Sequence, residues 1–384
     1  MTSTFRLGRI LGVRVGVNWS VLVVAWLLAW SLASTTLPDQ APGQSKFGYW
    51  VAGTLTAVVF LASILAHELG HAYVAGRNGV GVHDITIWMF GGVARLKGPA
   101  RTAKAELRIA LAGPVVSFTI GLSAIGFAAV AEALTVGELA TTALRWLGVI
   151  NLVLFAFNLI PAAPLDGGRV LSAALWTRWS DERRAHRAAT RAGRWFGTGL
   201  ILLGVASFAA DDLVGGVWLA FLGWFLITAA ESEQASADAL GALEGVRVAD
   251  VMSRDPIVVP RSMSIDRFVD EYVHHHRYGA YPVIDEQGRV EGLVTLRAIR
   301  TVPRDSWPRV GLAEVATPIE QVVTATCETP VVDVITGMNL DGGGGRVLAF
   351  DGDRLVGIIS PSDISRLMER VTLRRDNGVR SRRF

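Results

Sequence analysis

The feature that most limits this chain is a set of six runs without a single charged side chain: 15–38, 47–66, 109–131, 146–165, 195–210 and 213–230. They hold 24, 20, 23, 20, 16 and 18 residues. A helix rises about 1.5 Å per residue, so about 20 residues cross a hydrocarbon core roughly 30 Å thick. The first four runs are long enough, and the last two reach when flanking side chains such as Arg194 snorkel toward the headgroups. With 51% hydrophobic and 18% charged residues and a mean hydropathy of +0.39, the chain is not composed like an ordinary soluble enzyme. It reads as an integral membrane protein.

The character changes after residue 230. Residues 1–230 carry 18 basic and 11 acidic side chains, and residues 231–384 carry 19 and 23. A charged soluble domain therefore follows the apolar one, and the overall basicity belongs to the membrane half. Lipid headgroups are the simpler partner for that basicity, and no nucleic acid is expected. The single cysteine, Cys327, rules out an internal disulfide. Residues 371–384 form a basic tail.

Basic residues resist translocation and so orient the spans. With the N-terminus in the cytoplasm, sixteen basic residues fall in inner segments, against Lys46 and the border residue Arg145 outside. Six spans then leave both termini cytoplasmic. The competing reading of the first run is a cleaved signal peptide ending near Ser31-Leu32-Ala33, but an uncharged run of 24 exceeds a signal core.

The second run ends in His67-Glu68-Leu69-Gly70-His71. On a helix this H-E-x-x-H spacing puts both imidazoles on one face, one turn apart, where they suit a tetrahedral Zn²⁺ while the glutamate takes a proton from metal-bound water. Three ionisable residues directly after twenty uncharged ones are costly at membrane depth, which favours function over accident. A hydrolytic zinc needs a third protein ligand, and Asp166 is the candidate. It too follows twenty uncharged residues, on a run that crosses in the same direction, so the three side chains lie at similar depth. Pro161 and Pro164 should break the helix before it, and Gly167-Gly168 permits a tight turn that swings the carboxylate back. The bland reading of this segment is a helix-ending proline turn with a glycine cap.

Residues 247–370 read as two copies of strand, helix, strand, strand, helix. Gly292-Leu-Val-Thr295 through Ile299 is echoed by Gly357-Ile-Ile-Ser360 through Ile364 about 65 residues later. The H-E-x-x-H inside a span, the segment from Asn158 through Pro161 and Pro164 to Asp166-Gly-Gly, and this internal repeat together resemble the site-2 protease family of intramembrane zinc metalloproteases, in its branch with paired cystathionine-β-synthase-type (CBS) domains. The resemblance implies His67, His71 and Asp166 as zinc ligands, Glu68 as catalytic glutamate and Asn158 as a polar group near the reacting carbonyl. It also implies single-span membrane proteins as substrates, often after an upstream site-1-type protease has trimmed them. For the repeats it implies an adenine nucleotide in the cleft, gripped by Ser360, Asp363 and Thr295, although Ala298 stands where the first copy should have its Asp. A dimerisation or folding role for the repeats is the alternative, with a homodimer forming through them.

Other segments are read more plainly. Residues 80–96 should form a short membrane-associated sheet with a turn near Gly91-Gly92, whose edge could pair with an unwound substrate. The alternative is a sheet that only packs against the core. His83 is read as structural and not as a fourth ligand. Ala112-Gly113-Pro114 through Ser117 resembles a helix-packing motif of the family, so Ser117 is assigned to packing. The stretch 178–194 is a headgroup-facing amphipathic segment, 342–345 a flexible glycine turn, and His274-His275-His276 part of a solvated helix.

The expected fold class is therefore a multi-pass α-helical membrane domain of six transmembrane helices with a small membrane-associated β-sheet, followed by a cytoplasmic α/β tandem CBS pair. The expected boundaries are 1–230 for the protease domain, 231–245 for a linker, 246–302 and 311–370 for the repeats and 371–384 for a basic, disordered tail. The reading from another class is a membrane transporter or channel gated by the CBS repeats. That reading requires ionisable or broken-helix features spread across the bilayer, and here they concentrate at one depth.

Overall fold

The computed structural model describes residues 4–367 and 369, apart from 90, 97, 210–212, 244 and 339–343. The basic tail and part of the glycine turn lie outside the described residues. Contacts divide the chain into Met1–Ser236 and Ala237–Phe384.

The first unit opens with β1 (Phe5–Ile10) and β2 (Val13–Val17), an antiparallel hairpin that turns through Leu11 and Gly12, both at positive φ. Two residues later α1 (Ser20–Ser31) begins, continuing through a π-helical turn at Leu32–Thr36 into α2 (Leu37–Gln40). Then come α3 (Lys46–Arg77), β3 (Val82–Trp88), β4 (Gly91–Leu96), α4 (Ala103–Ala133), α5 (Glu138–Asn158), α6 (Asp166–Trp179), α7 (Glu182–Ala209) and α8 (Leu213–Ala242). Hydroxyl caps start the two longest helices: Ser45 Oγ accepts from Gly48 N at 3.0 Å and Thr102 Oγ1 from Ala105 N at 3.2 Å.

Five helical segments are long and apolar enough to cross a membrane: Ser20–Gln40, Lys46–Arg77, Ala103–Ala133, Glu138–Asn158 and Leu213–Ala242. The count of six expected from the uncharged runs is therefore not reached by this measure among the described residues. Residues 195–209 of the fifth run form only the later part of α7, whose first half holds Glu182, Arg183, Arg184, Arg187, Arg191 and Arg194. The run 15–38 does not lie wholly in a helix, because β2 takes its first three residues.

Small residues set the helix crossings. A Cβ on Gly53 would press on the backbone of Ala29 and Ala33, and one on Gly121 would meet the Gly148 carbonyl, and the reverse. The same mutual approach joins α7 to α8 at Gly197 with Gly223 and Gly204 with Gly216. Lipid offers no hydrophobic drive for helix association, so close backbone packing supplies it.

The expected hairpin at 80–96 is β3–β4, and it belongs to a four-stranded sheet in the order β1-β2-β3-β4. The pairing is antiparallel except between β2 and β3. Gly91 and Gly92 begin β4, opposite Trp88 and Ile87, so the turn falls directly before them, near the expected place. The N-terminal strands are an addition to the expected fold, and they carry Arg6, Arg9 and Arg14, whose charges also orient the first span. His83 is structural, as read: Arg14 lies 2.7 Å from its Nε2 and Asp84 3.4 Å from its Nδ1. Burial alone would raise the Asp84 pKa, but Arg95 and His83 outweigh it and hold the carboxyl below its usual range.

The second unit is α/β, and its strands are β5 (Ser253–Arg254), β6 (Val259–Pro260), β7 (Ala280–Ile284), β8 (Val290–Thr295), β9 (Thr317–Pro318), β10 (Val323–Thr326), β11 (Val347–Asp351) and β12 (Arg354–Ile359). They form two sheets with matching orders, β6-β7-β8-β9 and β10-β11-β12-β5. Each repeat lends its leading strand to the other's sheet: β5 pairs with β12, and β9 with β8. The repeat read from sequence is thus a structural repeat with exchanged strands. Val259, Ile265, Phe268, Tyr281, Val283 and Val294 fill one core, and Val248, Val331, Val347, Ala349 and Ile359 the other.

Candidate metal centre

Three side chains 99 residues apart in sequence at most converge in the first unit: His67 and His71 from α3, and Asp166 from the start of α6. His67 Nε2 and His71 Nε2 are 3.2 Å apart, and Asp166 Oδ2 is 3.1 Å from the first and 3.2 Å from the second. The near-equilateral triangle has edges close to the about 3.3 Å that separates neighbouring ligands on a tetrahedral zinc with bonds of about 2.0–2.1 Å. Both histidines are buried. Among the described residues this is the one cluster of ligand-type side chains close enough to share a metal ion.

The imidazoles are oriented from behind. His71 Nδ1 donates to the Ile109 carbonyl at 2.7 Å. A carbonyl can only accept, so the proton sits on Nδ1 and Nε2 keeps its lone pair for a metal. His67 Nδ1 lies 2.9 Å from Ser117 Oγ. Ser117 is fully buried, and besides packing it gives His67 a hydrogen-bonding partner that sequence did not reveal. Gly113 lies between these two partners on α4, and a Cβ there would collide with both imidazoles. The motif around Gly113 therefore makes room for the histidine pair as well as packing the helix.

Asp166 arrives by a broken helix, as Pro161 and Pro164 suggested. The α5 helix ends at Asn158, and α6 starts at Asp166 itself. The two following glycines are needed for a different reason from the one expected. Neither Gly167 nor Gly168 has positive φ; a Cβ on either would strike the backbone of the loop 159–163. They let that loop lie flat against the first turn of α6. Gly193 of α7 closes on the Ala163 carbonyl from the other side.

Glu68 follows His67 on α3, and its side chain lies beneath β4. A Cβ on Gly92 would overlap Glu68 Cγ and Cδ, so only a bare backbone passes over the carboxylate. This places an edge strand directly at the glutamate. Asn158 is tied to its own helix, with Nδ2 donating to the Leu154 carbonyl at 3.0 Å.

In the second unit the proposed nucleotide residues cap helices. Thr295 Oγ1 accepts from Ala298 N at 3.2 Å. Asp363 Oδ2 accepts from Ser360 N at 2.8 Å and Ser360 Oγ at 2.6 Å, while Oδ1 accepts from Arg366 at 2.6 Å and from Ser253 Oγ, on the strand lent by the other repeat, at 3.3 Å.

Comparison with known proteins agrees with this geometry. The profile of peptidase family M50 matches residues 55–138 and 123–200, and that of the CBS domain matches 248–305. The chain is 43% identical to Rip3 of Mycobacterium tuberculosis over 96% of its own length and 94% of that protein. It is 30% identical to the zinc metalloprotease MJ0392 of Methanocaldococcus jannaschii over 83% of its length and 86% of the relative. The solved site-2 protease of Methanocaldococcus jannaschii covers 60% of this chain and 94% of its own at 27% identity, with a TM-score of 0.41.

Proposed function

This chain belongs to peptidase family M50, the site-2 proteases, as a membrane metalloendopeptidase with CBS domains, and from that premise we propose that it cuts a peptide bond within or beside the transmembrane segment of single-span membrane proteins. The observation that carries the reading is the triangle of His67 Nε2, His71 Nε2 and Asp166 Oδ2 at 3.1–3.2 Å with Glu68 beside it. Those three residues would hold Zn²⁺, which when bound polarises a water and the scissile carbonyl and lowers the water's pKa toward about 7.

The remaining work falls to the chain. Glu68 accepts the proton of the attacking water and returns it to the leaving amine. Gly92 lets the β4 backbone lie directly against Glu68, and the unpaired edge of β4 can hold an unwound substrate as an added strand, exposing its carbonyl beside the glutamate. Asn158 would turn its amide from Leu154 toward the developing oxyanion. The enzyme sits in the cell membrane as a multi-pass protein in which the apolar later part of α7 crosses as a sixth span, which leaves both termini cytoplasmic. It acts on stubs left by an upstream site-1-type protease, as in regulated intramembrane proteolysis.

We further propose that the CBS pair senses an adenine nucleotide at Ser360 and Asp363, with Thr295 as the counterpart in the first repeat, and mediates homodimerisation. Access to Asp363 then requires Arg366 to swing aside.

The test is reconstitution of the purified protein with a single-span substrate. Glu68→Gln should retain about one zinc per chain and lose cleavage by about 10²–10⁴-fold, whereas His67→Ala and Asp166→Ala should lose the metal. Cleavage by Glu68→Gln at the unmutated rate would overturn the mechanism. Calorimetry on the full chain tests the nucleotide, whose binding Asp363→Ala should weaken.

A further inference from the structure

We propose that Arg169 is a positioning residue for the zinc ligand Asp166, acting by bolting the first turn of α6 to the helix that orients both histidines. The inference rests on reading Asp166 as a ligand. On α4, Glu106, Ile109, Gly113 and Ser117 follow one another at spacings of three, four and four residues, which places them along one face of the helix. Three members of this stripe serve the histidines: Ile109 through its carbonyl, Ser117 through its hydroxyl and Gly113 by having no side chain. The fourth, Glu106, does not touch the triad. Its Oε1 accepts from Arg169 Nε at 2.8 Å.

Arg169 stands three residues after Asp166, on the same side of α6 and one turn on. The stripe on α4 therefore aligns both halves of the triad, holding α3's imidazoles directly and α6's carboxylate at one remove. The link matters because α6 starts at the ligand itself, so Asp166 has no preceding helical turn to hold it. The pair is sheltered, with side chains 28% and 18% exposed for Arg169 and Glu106. Removing one partner of a sheltered pair leaves the other charge uncompensated, which costs more than losing a surface pair. The charges of Asp166 and of Glu233 on α8 also act on Arg169.

The experiment uses full-length, zinc-loaded protein in liposomes and reads two quantities: zinc retained against excess chelator, and kcat and KM on a single-span substrate. Glu106→Gln and Arg169→Ala should weaken zinc retention by about 10–100-fold, the range for partners one step behind a ligand. They should lower kcat while KM holds, since substrate docking along β4 is untouched. Arg169→Lys, which keeps the charge but loses the planar fork, should fall between Arg169→Ala and the unmutated chain, and it guards against a variant that simply fails to fold. Exchanging the charges, Glu106→Arg with Arg169→Glu, should recover part of the retention lost in Arg169→Ala.

Zinc retention within about twofold of the unmutated chain in Glu106→Gln and Arg169→Lys would overturn the proposal, as would a fall in kcat with retention unchanged. Failure of the underlying reading looks different: Asp166→Ala would then retain zinc as well as the unmutated protein does.

Discussion

Asp166 and Asp363 both lie in the first turn of a helix, one in each unit, and they are engaged in opposite ways. Asp363 is saturated by the Ser360 amide and hydroxyl, the Ser253 hydroxyl and the Arg366 guanidinium. Asp166 faces the Nε2 atoms of two imidazoles, and the one on His71 carries a lone pair that the carboxylate cannot satisfy. In the water-facing α/β unit, a hydroxyl three residues before a carboxylate closes a helix end upon itself. In the apolar unit, three ligand-type atoms meeting at about 3 Å form a set that a metal cation would satisfy. A polar residue is thus informative in proportion to how little its surroundings need it for structure.

The largest break in that comparison should come from one methyl group. Gly113→Ala puts a Cβ into the two imidazoles, and the expected outcome is a folded protein without zinc and without cleavage. In the second unit, Ala298→Gly, at the matching point in the first repeat, should leave zinc content untouched. Metal analysis of both variants decides it.

A smaller effect is expected at Ser117. Ser117→Ala removes the partner of His67 Nδ1 without touching the metal-facing nitrogen. Zinc affinity should fall by about 10–100-fold, measured by competition with a chelator, and cleavage at saturating zinc should largely return. No change in affinity would mean that Gly113 and Ile109 suffice to orient the pair.

Sequence made much of this site legible. The H-E-x-x-H spacing, the depth of Asp166 and the 65-residue echo all rest on side-chain types whose chemistry or periodicity is local. What stayed hidden depends on the neighbours of a residue. Gly167 and Gly168 read as a turn because glycine's conformational freedom is local, whereas the loop that lies on them comes from residues 159–163. Ser117 read as packing because nothing near it in sequence shows that His67 faces it from 50 positions away. The strands β1 and β2 are masked in the sequence by their own arginines, and three of the five residues of β2 belong to the first apolar run. The linker at 231–245 is helical through Ala242, as α8 carries on past its apolar part.

In the second unit the comparison can be sharpened by exchange. Asp363→Ala removes a cap and should cost about 1 kcal/mol, read as faster amide hydrogen exchange across 361–367. Ala298→Asp supplies the first repeat with the carboxylate that it lacks, three residues after Thr295, and should slow exchange across Leu296–Ile299 by a lesser amount. If Asp363 also grips a nucleotide, the same Ala298→Asp change should add a second binding event in calorimetry. Slower exchange without the second event would assign these aspartates to capping alone.

The smallest effect belongs to a third aspartate, Asp84 on β3, which lies between the two extremes. It pairs with Arg95, whose side chain is 53% exposed, so solvent screens the pair and its worth is about half a kcal/mol. Its folded pKa lies below the unfolded value of about 3.9, so its contribution is fully present above that value. It is lost as pH falls through the folded pKa. Asp84→Asn should therefore leave thermal stability almost unchanged near pH 3 and lower it slightly from pH 5 upward, compared in parallel melts of the two proteins. A larger loss at pH 3 than at pH 7 would reverse the sign and show that the folded sheet favours the protonated carboxyl, so that Asp84 would act as a neutral hydrogen-bonding group and not as the anion of an ion pair.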